Sequence, residues 1–144
     1  MRDYHDLEGL GDLPAEKLDQ TTVGRNIMLN YLRAHRKYEA HVRTVIDPDN
    51  LEAFQPDVVF FRKDKNHKWG LGKAIVVVEI EDDKDFNKCL LRCQEHLRMN
   101  PELLEAFAYN TDKKRWVGYE QDNPIRYGYT SYSEVLKLYL KDLK

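Results

Sequence analysis

Five consecutive apolar residues, Ala74-Ile75-Val76-Val77-Val78, run straight into Glu79-Ile80-Glu81. β-Branched residues at that density suit a pleated sheet. A run that is apolar throughout, instead of alternating, needs cover on both faces. The segment is therefore predicted to be a central strand that ends on two acids. It falls far short of the ~20 apolar residues of a membrane helix. The chain has 144 residues, 42% of them hydrophobic, which is enough for one domain with a real core.

Charged residues make up 33%, with 23 Lys and Arg against 25 Asp and Glu and a formal charge of -2. That balance excludes a basic nucleic-acid coat protein and an acidic tail, and leaves room for a local basic groove. The N-terminus, Met1-Arg2-Asp3-Tyr4-His5-Asp6, lacks the apolar stretch of a signal peptide. Cys89 and Cys93 lie in one helix-like segment, which argues against a disulfide framework and for a cytoplasmic protein. With His96 they offer three ligands for zinc, one fewer than a structural site takes. Two small apolar residues on the buried side of a helix is the preferred reading.

Residues 1–20 are polar, carry Gly9, Gly11 and Pro14, and read as an N-terminal arm with one helical turn at Ala15 to Leu18. Residues 21–144 read as a single domain. Thr21-Thr22 offers a helix cap. Val23, Ile27, Tyr31, Leu32 and Tyr38 then recur near helical spacing, predicting a helix to about Tyr38. A strand follows over His41–Ile46, then the turn Asp47-Pro48-Asp49-Asn50 and a strand over Asp57–Arg62. A polar loop, Lys63–Lys73, leads into the central strand, Ala74–Glu81. Asp82-Asp83 offers a cap for a helix over Lys84–Arg98, ended by Asn100-Pro101. Leu103–Tyr109 and Arg115–Tyr119 read as paired strands, and Tyr127–Thr130 as a short one. Val135, Leu136, Leu138, Tyr139, Leu140 and Leu143 predict a closing helix capped by Ser131 or Ser133. The order describes a mixed α/β sheet flanked by helices.

Glu79 and Glu81 are two apart, so on a strand they project from the same face while Ile80 points into the core. Asp57 opens the preceding strand directly after Pro56. If the two strands form a hairpin, the start of one lies beside the end of the other, and Asp57 falls next to the glutamates. Three converging carboxylates repel one another, and a hard divalent cation makes such a cluster tolerable. Mg²⁺ held this way orients a water, helps deprotonate it and stabilises the charge of an in-line phosphoryl displacement.

Gln55-Pro56-Asp57-Val58-Val59-Phe60, the interval after it and Val77-Val78-Glu79-Ile80-Glu81 resemble the PD-(D/E)xK phosphodiesterase superfamily. Downstream, Glu105-Ala106-Phe107-Ala108-Tyr109, a turn and Trp116-Val117-Gly118-Tyr119 look like the hairpin of its Uma2-type branch. The resemblance covers roughly Arg33 to Tyr119. It implies a restriction-endonuclease-like fold acting on DNA with Mg²⁺ or Mn²⁺, and Asp57 and Glu79 as metal ligands. The third motif position, usually a lysine that positions the attacking water, is Glu81 here. Some restriction enzymes of the superfamily carry Glu-x-Glu. Other branches take the lysine from the following helix, where Lys84 and Lys88 stand and Lys88 is preferred. The Glu that the family often adds from its first helix has Glu39 as its only counterpart.

Plainer readings stand beside these. Asp57 suits a turn residue after proline. Glu79 and Glu81, flanked by Asp82 and Asp83, suit a solvated strand end, and Lys88 suits a helix surface. The missing strand lysine and the negative net charge favour a non-catalytic relative of the same fold, a binding or assembly module that forms a homodimer. Basic residues at Arg33–Lys37, Lys63–Lys65 and Lys113–Arg115 suit either a phosphate groove or solvated loops. Trp69, among lysines, suits base stacking or packing back on the sheet.

Overall fold

The structure, a computed structural model, describes residues 15–47 and 55–144. Six strands hydrogen-bond in chain order: β1 (Tyr38–Val42), β2 (Val58–Lys63), β3 (Leu71–Glu81), β4 (Glu105–Asn110), β5 (Arg115–Glu120) and β6 (Asn123–Gly128). All neighbours are antiparallel except β3 and β4. A parallel pair needs a crossover, and helix α2 (Phe86–Met99) supplies it. Helix α1 (Ala15–Ala34) covers the opposite face.

The sheet separates two apolar clusters. Even-numbered Val58, Phe60, Val76, Val78 and Ile80 pack with Ile27 and Tyr31 of α1 and with Leu136, Leu140 and Leu143. Odd-numbered Val59, Phe61 and Val77 pack with Cys89, Cys93 and Leu97 of α2. The alternation is the period-two geometry of a strand. β3 is buried from Ala74 to Glu81, the double cover its valine run demands. At the closing end of the α1 cluster, Asn30 Nδ2 donates to the Leu143 carbonyl at 2.7 Å.

Several boundaries differ from expectation. α1 begins at Ala15, so residues 15–20 of the expected arm are helical, whereas residues 1–14 lie outside the described residues. It stops at Ala34, and Tyr38 opens β1, which ends at Val42. The Pro48-Asp49-Asn50 part of the expected turn also lies outside the described residues. Asp85, not Asp82 or Asp83, is the residue before α2, and Asp82 Oδ1 accepts its backbone N–H at 3.0 Å.

The expected closing helix is absent. Its residues form β7 (Tyr132–Ser133), β8 (Leu138–Tyr139) and a 3-10 turn, Leu140–Asp142. Lys137 sits at φ 60°, a left-handed conformation that a helix interior does not accept. Leu136, Leu140 and Leu143 are buried all the same, but by a folded-back turn. The reason is tertiary. Ser133 Oγ donates to Glu105 Oε1 at 2.5 Å, the Glu134 N–H donates to Glu105 Oε2 at 2.9 Å, and the Leu136 N–H donates to Ser133 Oγ at 2.9 Å.

Gly118 makes room for the chain that follows β6. A Cβ there would lie 2.9 Å from Phe107 Cε1 and 3.2 Å from Thr130 Cγ2, so the Phe107 ring and the Thr130 side chain pack directly on this backbone. Both cysteines are buried and free. Burial and a hydrogen bond with Cys89 push the Cys93 thiol well above its ordinary range, away from the thiolate that a metal needs. Cys89 and Cys93 are thus core residues. No helix among the described residues is long and apolar enough to cross a membrane.

Candidate active site

Glu79 and Glu81 end β3 on the α2 side, both buried. Strand pairing sets Val58 opposite Val78, so the chain entering β2 brings Asp57 level with Glu79. Asp57 Oδ2 accepts the N–H of Ile80 at 2.7 Å, at the peptide between the two glutamates. The Arg43 N–H holds the Asp57 carbonyl at 3.1 Å. Burial first, and then the negative charge of Glu79, push the Asp57 carboxyl up to about 7, despite the Ile80 N–H and the charges of Arg92 and Arg43.

Sequence reasoning missed what answers the glutamates. Arg92 Nε lies 3.4 Å from Glu79 Oε1, and Arg92 Nη2 lies 3.5 Å from Glu81 Oε2. His96 Nε2 lies 2.5 Å from Glu79 Oε2. From α1, Gln20 Nε2 donates to Glu81 Oε1 at 2.8 Å. One signal was readable: residues four apart on a helix face one way, so Arg92 and His96 can meet two acids spaced two apart on a facing strand. Among polar helix residues, nothing else singled them out.

Lys88 is mostly exposed, and its amine lies 3.7 Å from Asp85 Oδ1. Glu39 sits on β1 opposite Phe61, displaced along the strand from the Asp57 end, and lies 3.9 Å from His41. The group of three carboxylates whose oxygens come within 4.8 Å of one another, among the described residues, is Glu81, Asp82 and Asp85. Among the described residues, the expected trio Asp57, Glu79 and Glu81 does not bring its oxygens within that distance of one another; only Glu81 belongs to the close cluster. The donors are all carboxylate oxygens, a set that suits Mg²⁺ or Mn²⁺ and not a thiolate-seeking metal.

No protein-family model matches the chain, and no curated protein matches it at a significant level. Among solved structures, the fold is similar to that of a protein from Anabaena variabilis, provisionally classed as a nuclease belonging to DUF820. The two share 14% identity over 91% of this chain and 80% of that one, with a TM-score of 0.50. At that identity the likeness is one of fold, and the fold is an α/β restriction-endonuclease-like sheet with helices on both faces.

Proposed function

We propose that the chain is a metal-dependent nuclease that hydrolyses DNA phosphodiester bonds, with Asp57, Glu79 and Glu81 as ligands of Mg²⁺ or Mn²⁺. The observation that carries this reading is the pair Glu79 and Glu81, buried side by side at a strand end, with Asp57 bonded to the peptide between them. Like charges gathered there weaken the fold and serve a cation. A bound divalent ion supplies a more acidic water and neutralises developing phosphate charge. His96 fixes the orientation of the Glu79 carboxylate from behind. Arg92, 39% exposed, presents a planar guanidinium that suits a phosphate oxygen pair. Lys88, next to Asp85, is a more distant positioning residue. The provisional nuclease standing of the Anabaena protein points the same way. The test is cleavage of plasmid DNA with Mg²⁺ or Mn²⁺ by the native protein and by Asp57→Ala and Glu79→Ala. Loss in both variants is expected; equal cleavage by all three rejects the reading.

One observation favours a second reading. Arg92 already neutralises Glu79 and Glu81, and His96 and Gln20 occupy further oxygens. In that case the acids hold the sheet to its helices, and the chain is a non-catalytic module that binds or assembles as a homodimer. Calorimetry separates the two. Mg²⁺ or Mn²⁺ binding that Glu79→Ala abolishes supports the nuclease, and no heat of binding supports the module.

A further inference from the structure

Strand pairing sets Glu81 opposite Asn110 and Asn110 opposite Arg115. The acids and Arg115 therefore stand in one row across the same end of the sheet, with Arg115 roughly 10 Å from Glu81 at ordinary strand spacing. Two cavities open along this end. One, of about 560 Å³, runs from Asp83, Phe86 and Asn110 past Lys113 to Arg115 and Tyr129. The other, of about 580 Å³, continues from Arg115 and Tyr129 to Trp116, Tyr139 and Lys141. They share Arg115 and Tyr129, so the two cavities adjoin at these residues.

The chemistry of that second cavity is specific. Its volume falls in the range of small-ligand sites. Tyr129 is 77% exposed and Tyr139 is 48% exposed, the Tyr139 ring also meeting Tyr132 edge-on with centroids 4.9 Å apart. Lys141 lies over the Tyr139 ring, its amine 5.3 Å from the centroid. Arg115 and Lys141 line the cavity, and none of its lining residues carries a carboxylate among the described residues. In a chain of net charge -2, two cations without an opposing acid are a local departure. Trp116 also lines it, is 7% exposed, and its indole N–H has no hydrogen-bond partner among the described residues. That nitrogen is itself buried, so it is not offered to a ligand in the cavity. An exposed ring for stacking and two cations for phosphate together describe the recognition of a nucleotide.

We propose that the cavity bounded by Arg115, Trp116, Tyr129, Tyr139 and Lys141 binds a nucleotide unit, its base stacked on tyrosine and its phosphate held by Arg115 and Lys141. The unit is either a free nucleotide or one residue of a single strand leading toward the acids. The site stands on its own residues and does not need the acids to be catalytic.

The test is fluorescence anisotropy of a dye-labelled oligothymidylate in low salt without divalent metal, competed with unlabelled AMP. Tyr129→Ala and Lys141→Gln both alter exposed residues. Each is expected to weaken binding roughly tenfold, the scale of one lost stacking or phosphate contact, and the affinity to fall as salt rises. Glu79→Ala is expected to bind as the native protein does, whether or not it cleaves. Competition by AMP identifies a free-nucleotide site, and its failure while the oligomer binds identifies a strand subsite. No binding by the native protein, or unchanged affinity in both Tyr129→Ala and Lys141→Gln, overturns the proposal.

Discussion

Two buried glutamates on adjacent strands, Glu79 on β3 and Glu105 on β4, are 5% and 4% exposed and lead opposite lives. Glu105 faces the closing segment and is met by the Ser133 hydroxyl and the Glu134 N–H. Burial pushes its carboxyl up, and the donors of Ser133, Glu134 and Val135 oppose that shift. Glu79 faces α2 and is met by a guanidinium and an imidazole, with Asp57 and Glu81 crowded beside it. The fold can therefore satisfy a buried carboxylate with hydroxyl and peptide donors alone. Crowding of like charge is not required by burial, and that is what sets the Glu79 end apart from the Glu105 site.

The contrast breaks most plainly on activity. Glu79→Ala is expected to reduce metal-dependent DNA cleavage roughly a thousandfold, about 4 kcal/mol of barrier. Glu105→Gln is expected to cleave at the native rate per folded molecule, with folding checked by circular dichroism.

The next effect is on stability against pH. The Asp57 carboxyl is pushed up to about 7 in the folded chain. Its unfolded value, near 3.8, is lower, so the folded state binds the extra proton between those limits. Stability from this group is full below about pH 4 and is lost as pH rises through about 7. The loss is expected to be a few kcal/mol, at about 1.4 kcal/mol per pKa unit. Urea unfolding at a series of pH values, compared between the native chain and Asp57→Asn, reads it; parallel curves would remove Asp57 as the cause.

Arg92→Ala leaves Glu79 and Glu81 without their shared cation. A cost of about 2 kcal/mol is expected, below that of a fully buried pair because Arg92 is partly exposed. Ser133→Ala removes one donor from Glu105 and is expected to cost about 1–2 kcal/mol. If Ser133→Ala proved as costly as Arg92→Ala in the same thermal unfolding experiment, the two carboxylates would be equivalent supports and the contrast would fail.

The strands were legible because β3, β2 and the β4–β5 hairpin carry dense β-branched and aromatic runs bounded by polar turns. α2 was legible from the polar residues on either side of it, Asp82-Asp83 and Asn100-Pro101, and from Cys89 and Cys93 four apart. The closing segment was not. Leu136, Leu140 and Leu143 keep helical spacing, but Glu105 and Ser133 draw the backbone into a turn, a tertiary force that no local pattern records. Of the site, the acids were readable from strand periodicity. Arg92 and His96 were not, since a polar residue on a helix reads as solvent-facing until the strand beneath it is known to end in carboxylates. Lys88 stood out by residue type, yet lies outward at Asp85.

The contact between Asn30 and the Leu143 carbonyl, with Ile27 and Tyr31 packed on Leu140 and Leu143, has a consequence for synthesis. On the ribosome α1 emerges before part of the surface that shelters it, which is made more than a hundred residues later. Until then its apolar stripe is only partly covered. A chain stopped short of Leu143 would leave that helix without its last cover, and the newly made protein is at greatest risk of aggregation in that interval.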